Sequence, residues 1–194
     1  MFQTRGSFLA VSLVCALLLS VAFVTADAQT ATAPDTKLAL RAALVTTPEF
    51  CDTTFKKGSS ATIKETFEVG KIACAELAPA LEKAFSSLTV VTEPPSSGDA
   101  QVVLLPRFVD VAANTTMGAF SNREMDVILE WTVKDVSGKT VWIETVQGSS
   151  KHHMGNMFTH GKNVKLIVRD SIKDAAEQSA SKMAASAALR KLTQ

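Results

Sequence analysis

The side chains best suited to chemistry in this chain are its histidines. All three sit in one run, His152-His153-Met154-Gly155-Asn156-Met157-Phe158-Thr159-His160. Imidazole and thioether donors together suit copper, and imidazoles suit zinc or nickel. A site here would take His152, His153 and His160 as ligands, with Met154 or Met157 as a soft fourth. The spacing matches no standard zinc site, and no cysteine joins it. The simpler reading is a polar loop after a strand, its Met and Phe packing under the last helix.

Carboxylates are the next candidates. Glu124, Asp126 and Glu130 fall on one alternating segment, with Asp126 and Glu130 on a shared face. A catalytic pair needs two carboxyl groups whose pKa values are pushed apart, usually by burial. On an alternating strand the polar face is most simply the solvated one. Ser171 lies near Asp170 and Asp174 but has no His at a recognisable position. No Gly-x-Ser-x-Gly elbow and no phosphate-binding glycine loop is present. These residues point to no catalytic site, so the chain reads as non-enzymatic, with no required cofactor.

The first segment reads as an address. Phe8 to Val24 is an apolar run behind Arg5, and Ala26-Asp27-Ala28 places small residues where signal peptidase cuts. Residues 1–28 are therefore expected to be a cleaved export signal. The competing reading is a retained anchor, but a run of about 17 residues is at the lower limit for a bilayer span. No stable membrane span is expected after cleavage. Cleavage removes Cys15 and leaves Cys51 and Cys74. Two cysteines in an exported domain suggest one disulfide. The alternative is two free thiols, with Cys74 packed as a small hydrophobe.

Export leaves one domain to position these groups. The chain has 194 residues, 46% of them hydrophobic, with a formal charge of +1. That is enough apolar content for a core and too balanced a charge for a nucleic-acid binder. Residues 29–37 read as a flexible lead, and residues 38–194 as the domain. Leu38 to Val45 alternates as a strand that Pro48 ends, and Lys56 to Ser60 reads as a loop. Thr62 to Glu68 alternates again. Lys71 to Ser86 switches to helical spacing, with Cys74, Leu77, Leu81 and Phe85 in one stripe and Pro79 inside it.

Leu88 to Thr92 is a short strand. Ala100 to Phe108 is nearly all apolar, as for a central strand covered on both faces. Ala112 to Asn122 reads as a loop that carries Met117 and Phe120, two side chains suited to partner contact. The alternative is that both tuck into the core. Met125 to Lys134 and Thr140 to Ser149 alternate around Asp135-Val136-Ser137-Gly138, a hairpin. Asn163 to Leu192 is helical. The order β, β, α, β, β, β, β, α predicts an α+β two-layer sandwich, a mostly antiparallel sheet with two helices packed on one face.

Three segments carry a family resemblance: Phe67 to Phe85 (FEVGKIACAELAPALEKAF), Asp99 to Val111 (DAQVVLLPRFVDV) and the hairpin Asp126 to Gly148. Together with the Ala-rich last helix, they resemble small bacterial cell-envelope proteins of the YajG and LPS-assembly-lipoprotein type. The resemblance is one of pattern and spans about Leu38 to Leu192. It implies an envelope role with an envelope protein as partner. Those relatives usually carry a lipid-modified cysteine at the mature N-terminus, where this chain has Ala-x-Ala and Gln29.

Two functions are therefore expected to compete. The first is an exported, non-enzymatic binding or assembly module of the cell envelope, acting through protein–protein contacts in the periplasm or outside the cell. The second is a periplasmic transition-metal-binding protein using the His152–His160 cluster.

Overall fold

The computed structural model describes residues 37–60, 63–95, 98–115, 122–153 and 160–193. The first strand, β1 (Leu38–Val45), alternates as its sequence demands, with Leu38, Leu40, Ala42 and Leu44 turned to the core. Pro48 then starts a single helical turn, α1 (Pro48–Cys51), capped by the Thr47 side chain, which accepts from the Phe50 N–H. A small antiparallel hairpin follows, β2 (Phe55–Ser60) and β3 (Ile63–Phe67). The expected loop over Lys56 to Ser60 is thus a strand; its polar residues form a ladder against the segment that alternates.

Helix α2 (Val69–Leu81) runs through Pro79 and ends earlier than its apolar stripe suggests. Lys83 and Ala84 close a tight turn onto Ala80 and Leu81, so Phe85 is free to open β4 (Phe85–Val91). Three long strands come next: β5 (Val102–Thr115), β6 (Asn122–Asp135) and β7 (Thr140–His153). Helix α3 (His160–Ala185) and the short α4 (Ala187–Arg190) complete the chain, broken at Ser186, whose hydroxyl caps α4.

The five main strands form one sheet in the order β4-β1-β5-β6-β7. The architecture is the expected α+β sandwich, but the sheet is mixed rather than mostly antiparallel. Strand β1 is parallel to both β4 and β5, whereas β5-β6 and β6-β7 are antiparallel. The cause is connectivity. Helix α2 crosses between β1 and β4, and a strand–helix–strand crossover returns the chain in the direction it left.

Helices α2 and α3 share one core with the sheet, in which Leu77, Leu81 and Ile172 meet Leu40, Leu104 and Trp131. An extra residue at the β5 bulge between Phe108 and Asp110 lets both Phe108 and Val111 serve the core. Where β1 does not reach, Phe50 of α1 stacks on Phe108 at 4.9 Å and Phe55 of β2 meets it edge-on at 6.1 Å. Among the described residues no helix is long and apolar enough to cross a membrane.

Candidate interaction surface

Among the described residues, no helix packs on the opposite face of the sheet. Alternation decides what it shows. Because Met125, Val127, Leu129, Trp131 and Val133 of β6 turn inward, Asp126, Ile128, Glu130, Thr132 and Lys134 turn outward. Their cross-strand neighbours sort the surface into two zones. Toward α3's start, Arg107 donates to Glu130 at 2.9 and 3.1 Å, Ser149 Oγ donates to Asp126 at 2.6 Å, and Lys151 pairs with Glu124. Each of the three carboxylates considered for catalysis is thus engaged by a cross-strand partner.

Toward the β6–β7 turn the outer face is apolar. Val103 and Leu105 of β5 lie beneath the connection from β4, and Pro94, Pro95, Ala100 and Val136 close a groove of about 230 Å³ over them. Val102, Val103 and Leu104 are buried on both faces of β5, the outer cover over Val103 coming from this connection. Val136, in the lining of the groove, is 70% exposed; Ile143, 59% exposed, lies across Thr132 from Leu105.

Lys134 and Asp135 are the polar residues at its rim. The Asp135 carboxylate accepts from the Ser137 hydroxyl at 2.6 Å and from the Ser137 and Lys139 N–H groups at 2.9 and 3.0 Å. These bonds, the Ser137 hydroxyl first, hold its pKa below the ordinary value. Gly138 supplies the positive φ of 82° that closes the turn. The turn is therefore a fixed wall of the groove.

The histidine run is divided between elements. His152 lies in β7, and its Nε2 is 2.7 Å from Asp170 Oδ2 on α3. Its cross-strand neighbour is Arg123, only 4% exposed, whose guanidinium stacks over Phe67 at 5.4 Å. Burial pulls the Arg123 pKa below its usual value. His153 ends β7 and His160 opens α3, while Met154 and Met157 lie outside the described residues, as do Met117 and Phe120. Among the described residues no group of three or more His, Cys, Asp or Glu gathers as a metal would require.

Ser171 has a structural role. Its hydroxyl is buried within 2.6 Å of Ser150 Oγ, 2.8 Å of Ile167 O and 3.0 Å of Met125 O. Cys51 and Cys74 form a disulfide, with Cα atoms 5.8 Å apart, joining α1 to α2. The groove itself was not visible in the sequence. Pro94-Pro95 marks a loop, but nothing local says that the loop folds back over Val103.

No family model and no curated protein sequence matches this chain. Its solved structural relatives are remote. A minor lipoprotein of Acinetobacter baumannii aligns over 77% of this chain and 94% of its own at 11% identity and a TM-score of 0.44. A DUF330 protein of Xanthomonas campestris aligns over 77% of this chain and 87% of its own at 6% identity and a TM-score of 0.50. The likeness to the Xanthomonas protein is one of fold: this chain is similar in architecture to a bacterial protein of that family.

Proposed function

We propose that this chain is an exported, non-enzymatic module of the bacterial cell envelope that binds a protein partner through the open face of its sheet. The observation that carries the reading is the mainly apolar 230 Å³ groove with the exposed Val136 at its wall and the exposed Ile143 one strand beyond, across Thr132. Exposed apolar surface of this kind, rimmed by charge, is typical of protein contact sites. The export pattern of residues 1–28 and the resemblance to envelope lipoproteins support the compartment. The carboxylates and Ser171, already engaged in structural bonds, support a binding role rather than a catalytic one.

The test is site-specific photocrosslinking in living cells from positions 136 and 143, with position 71, an exposed residue of α2, as control. A discrete envelope protein captured from 136 and 143 but not from 71 is expected. Equal labelling from all three positions would remove the proposal. Fractionation of the same cells tests export: the chain should be recovered shortened and outside the cytoplasm.

A further inference from the structure

The two edges of the sheet are treated differently. Edge strand β7 is guarded by α3: Asp174 accepts the Ser149 N–H at 2.8 Å, and Lys182 donates to the Thr145 carbonyl at 3.4 Å. Blocking an edge in this way prevents pairing with another chain. Edge strand β4 has β1 as its neighbour on one side and, among the described residues, no strand on the other. Its sequence, Phe-Ser-Ser-Leu-Thr-Val-Val, holds no charge and no proline. It therefore lacks the usual devices that discourage pairing.

The phase of its ladder says which backbone groups are offered. The pairs Arg41↔Ser87 to Val45↔Val91 run without interruption, and the Thr46 N–H donates to the Val91 carbonyl at 2.9 Å. Alternate residues turn their N–H and C=O to opposite sides. Ser87, Thr89 and Val91 therefore face β1, and Leu88 and Val90 face outward. Val90 shares the core side with Leu88, yet it is 50% exposed.

We infer that β4 pairs edge to edge with β4 of a second copy, antiparallel and centred on Thr89. That register sets Leu88 opposite Val90 of the second copy as a hydrogen-bonded pair, and its symmetric equivalent gives four backbone bonds in all. It covers Val90 with leucine. Thr89 meets its own copy on the axis, a favourable cross-strand pair. Ser87 falls opposite Val91. The match lies in the uncharged register itself: Glu93 falls opposite Phe85 of the second copy, and nearby Lys83 already pairs with Glu177 of its own chain at 3.5 Å. An acidic or basic strand from another protein would find no such match along this uncharged edge.

The test uses the full chain expressed in cells that export it. Opposed residues of a non-hydrogen-bonded pair have Cα atoms about 4.5 Å apart, within disulfide range. Thr89→Cys should give a reducible species of twice the monomer mass. Ser87→Cys alone should not, while Ser87→Cys with Val91→Cys should restore it. Adding Val90→Pro to Thr89→Cys removes an outward N–H and leaves the β1 ladder intact, so the dimer band should fall at least tenfold with monomer level unchanged. Val90→Lys, which keeps the N–H, should lower it by setting a charge against Leu88, and it serves where the proline variant fails to accumulate. A Thr89→Cys band no stronger than that of Ser87→Cys would overturn the inference, as would crosslinks to other proteins alone.

Discussion

The two long helices share one means of attachment, a close approach at a glycine, and differ in a second. Helix α3 lies on the β6–β7 hairpin through a stripe of small residues, Ser171, Ala175 and Ser179, spaced by one turn. At Gly148 the approach is so close that a Cβ would stand 2.1 Å from the Ser171 carbonyl and 2.3 Å from the Ala175 nitrogen. Buried hydroxyls lock the seam, with Trp131 Nε1 donating to Ser179 Oγ at 2.7 Å. Helix α2 meets α1 nearly as closely at Gly70, where a Cβ would stand 2.2 Å from the Phe50 carbonyl. There, however, a covalent bond, Cys51–Cys74, also holds the contact. The α3 seam depends on shape, and the α2 seam combines shape with a staple. Export to an oxidising compartment would make the staple available.

This contrast can be broken at several points. Gly148→Val should have the largest effect, about 4 kcal/mol, because the clash is with helix backbone that has no room to move. Urea unfolding at constant pH would show it as a fall in midpoint. Replacing Cys51 and Cys74 together with serine should cost about 3 kcal/mol, the entropy of opening a loop of 23 residues. Adding reductant to the unmodified chain should reproduce that loss and leave the serine variant unchanged. Ser179→Ala should cost about 2 kcal/mol by leaving the buried indole N–H of Trp131 without its acceptor. The double variant with Trp131→Phe should cost less than the sum of the single changes.

The smallest effect belongs to the turn at the groove. Asp135 titrates below its ordinary value of 3.8 in the folded chain. Its contribution is therefore present above that value and lost as pH falls through the lower folded one. The melting temperature of Asp135→Asn should lie slightly below that of the unmodified chain at pH 7. The gap should close as pH drops below about 4, and a gap that widened in acid would contradict this assignment.

Periodicity made the antiparallel half of the sheet legible. Met125, Val127, Leu129, Trp131 and Val133 turn inward as their spacing requires, and Asp135-Val136-Ser137-Gly138 makes the turn its composition indicates. Both are local features, written within a few residues of where they act. Lys56 to Ser60 misled, because a polar ladder between two short strands lacks the apolar alternation that marks a strand. Of the histidine run only the His152 side chain is described, and its bond to Asp170 on α3 is a contact between distant segments that no local pattern records.

By itself the sequence determined the alternation of β1 and β6, the hairpin, and the presence of two cysteines in the domain that could pair. Tertiary structure alone decided that β1 lies between β4 and β5, parallel to both. It also decided that Pro94, Pro95 and Ala100 come over Val103 and that β4 has, among the described residues, a strand on one side only. The physical reason is range. Side-chain alternation is fixed by strand geometry over two residues. Which strands become neighbours depends on long loops closing and on a helix packing back across the sheet, and no short window of sequence records that outcome.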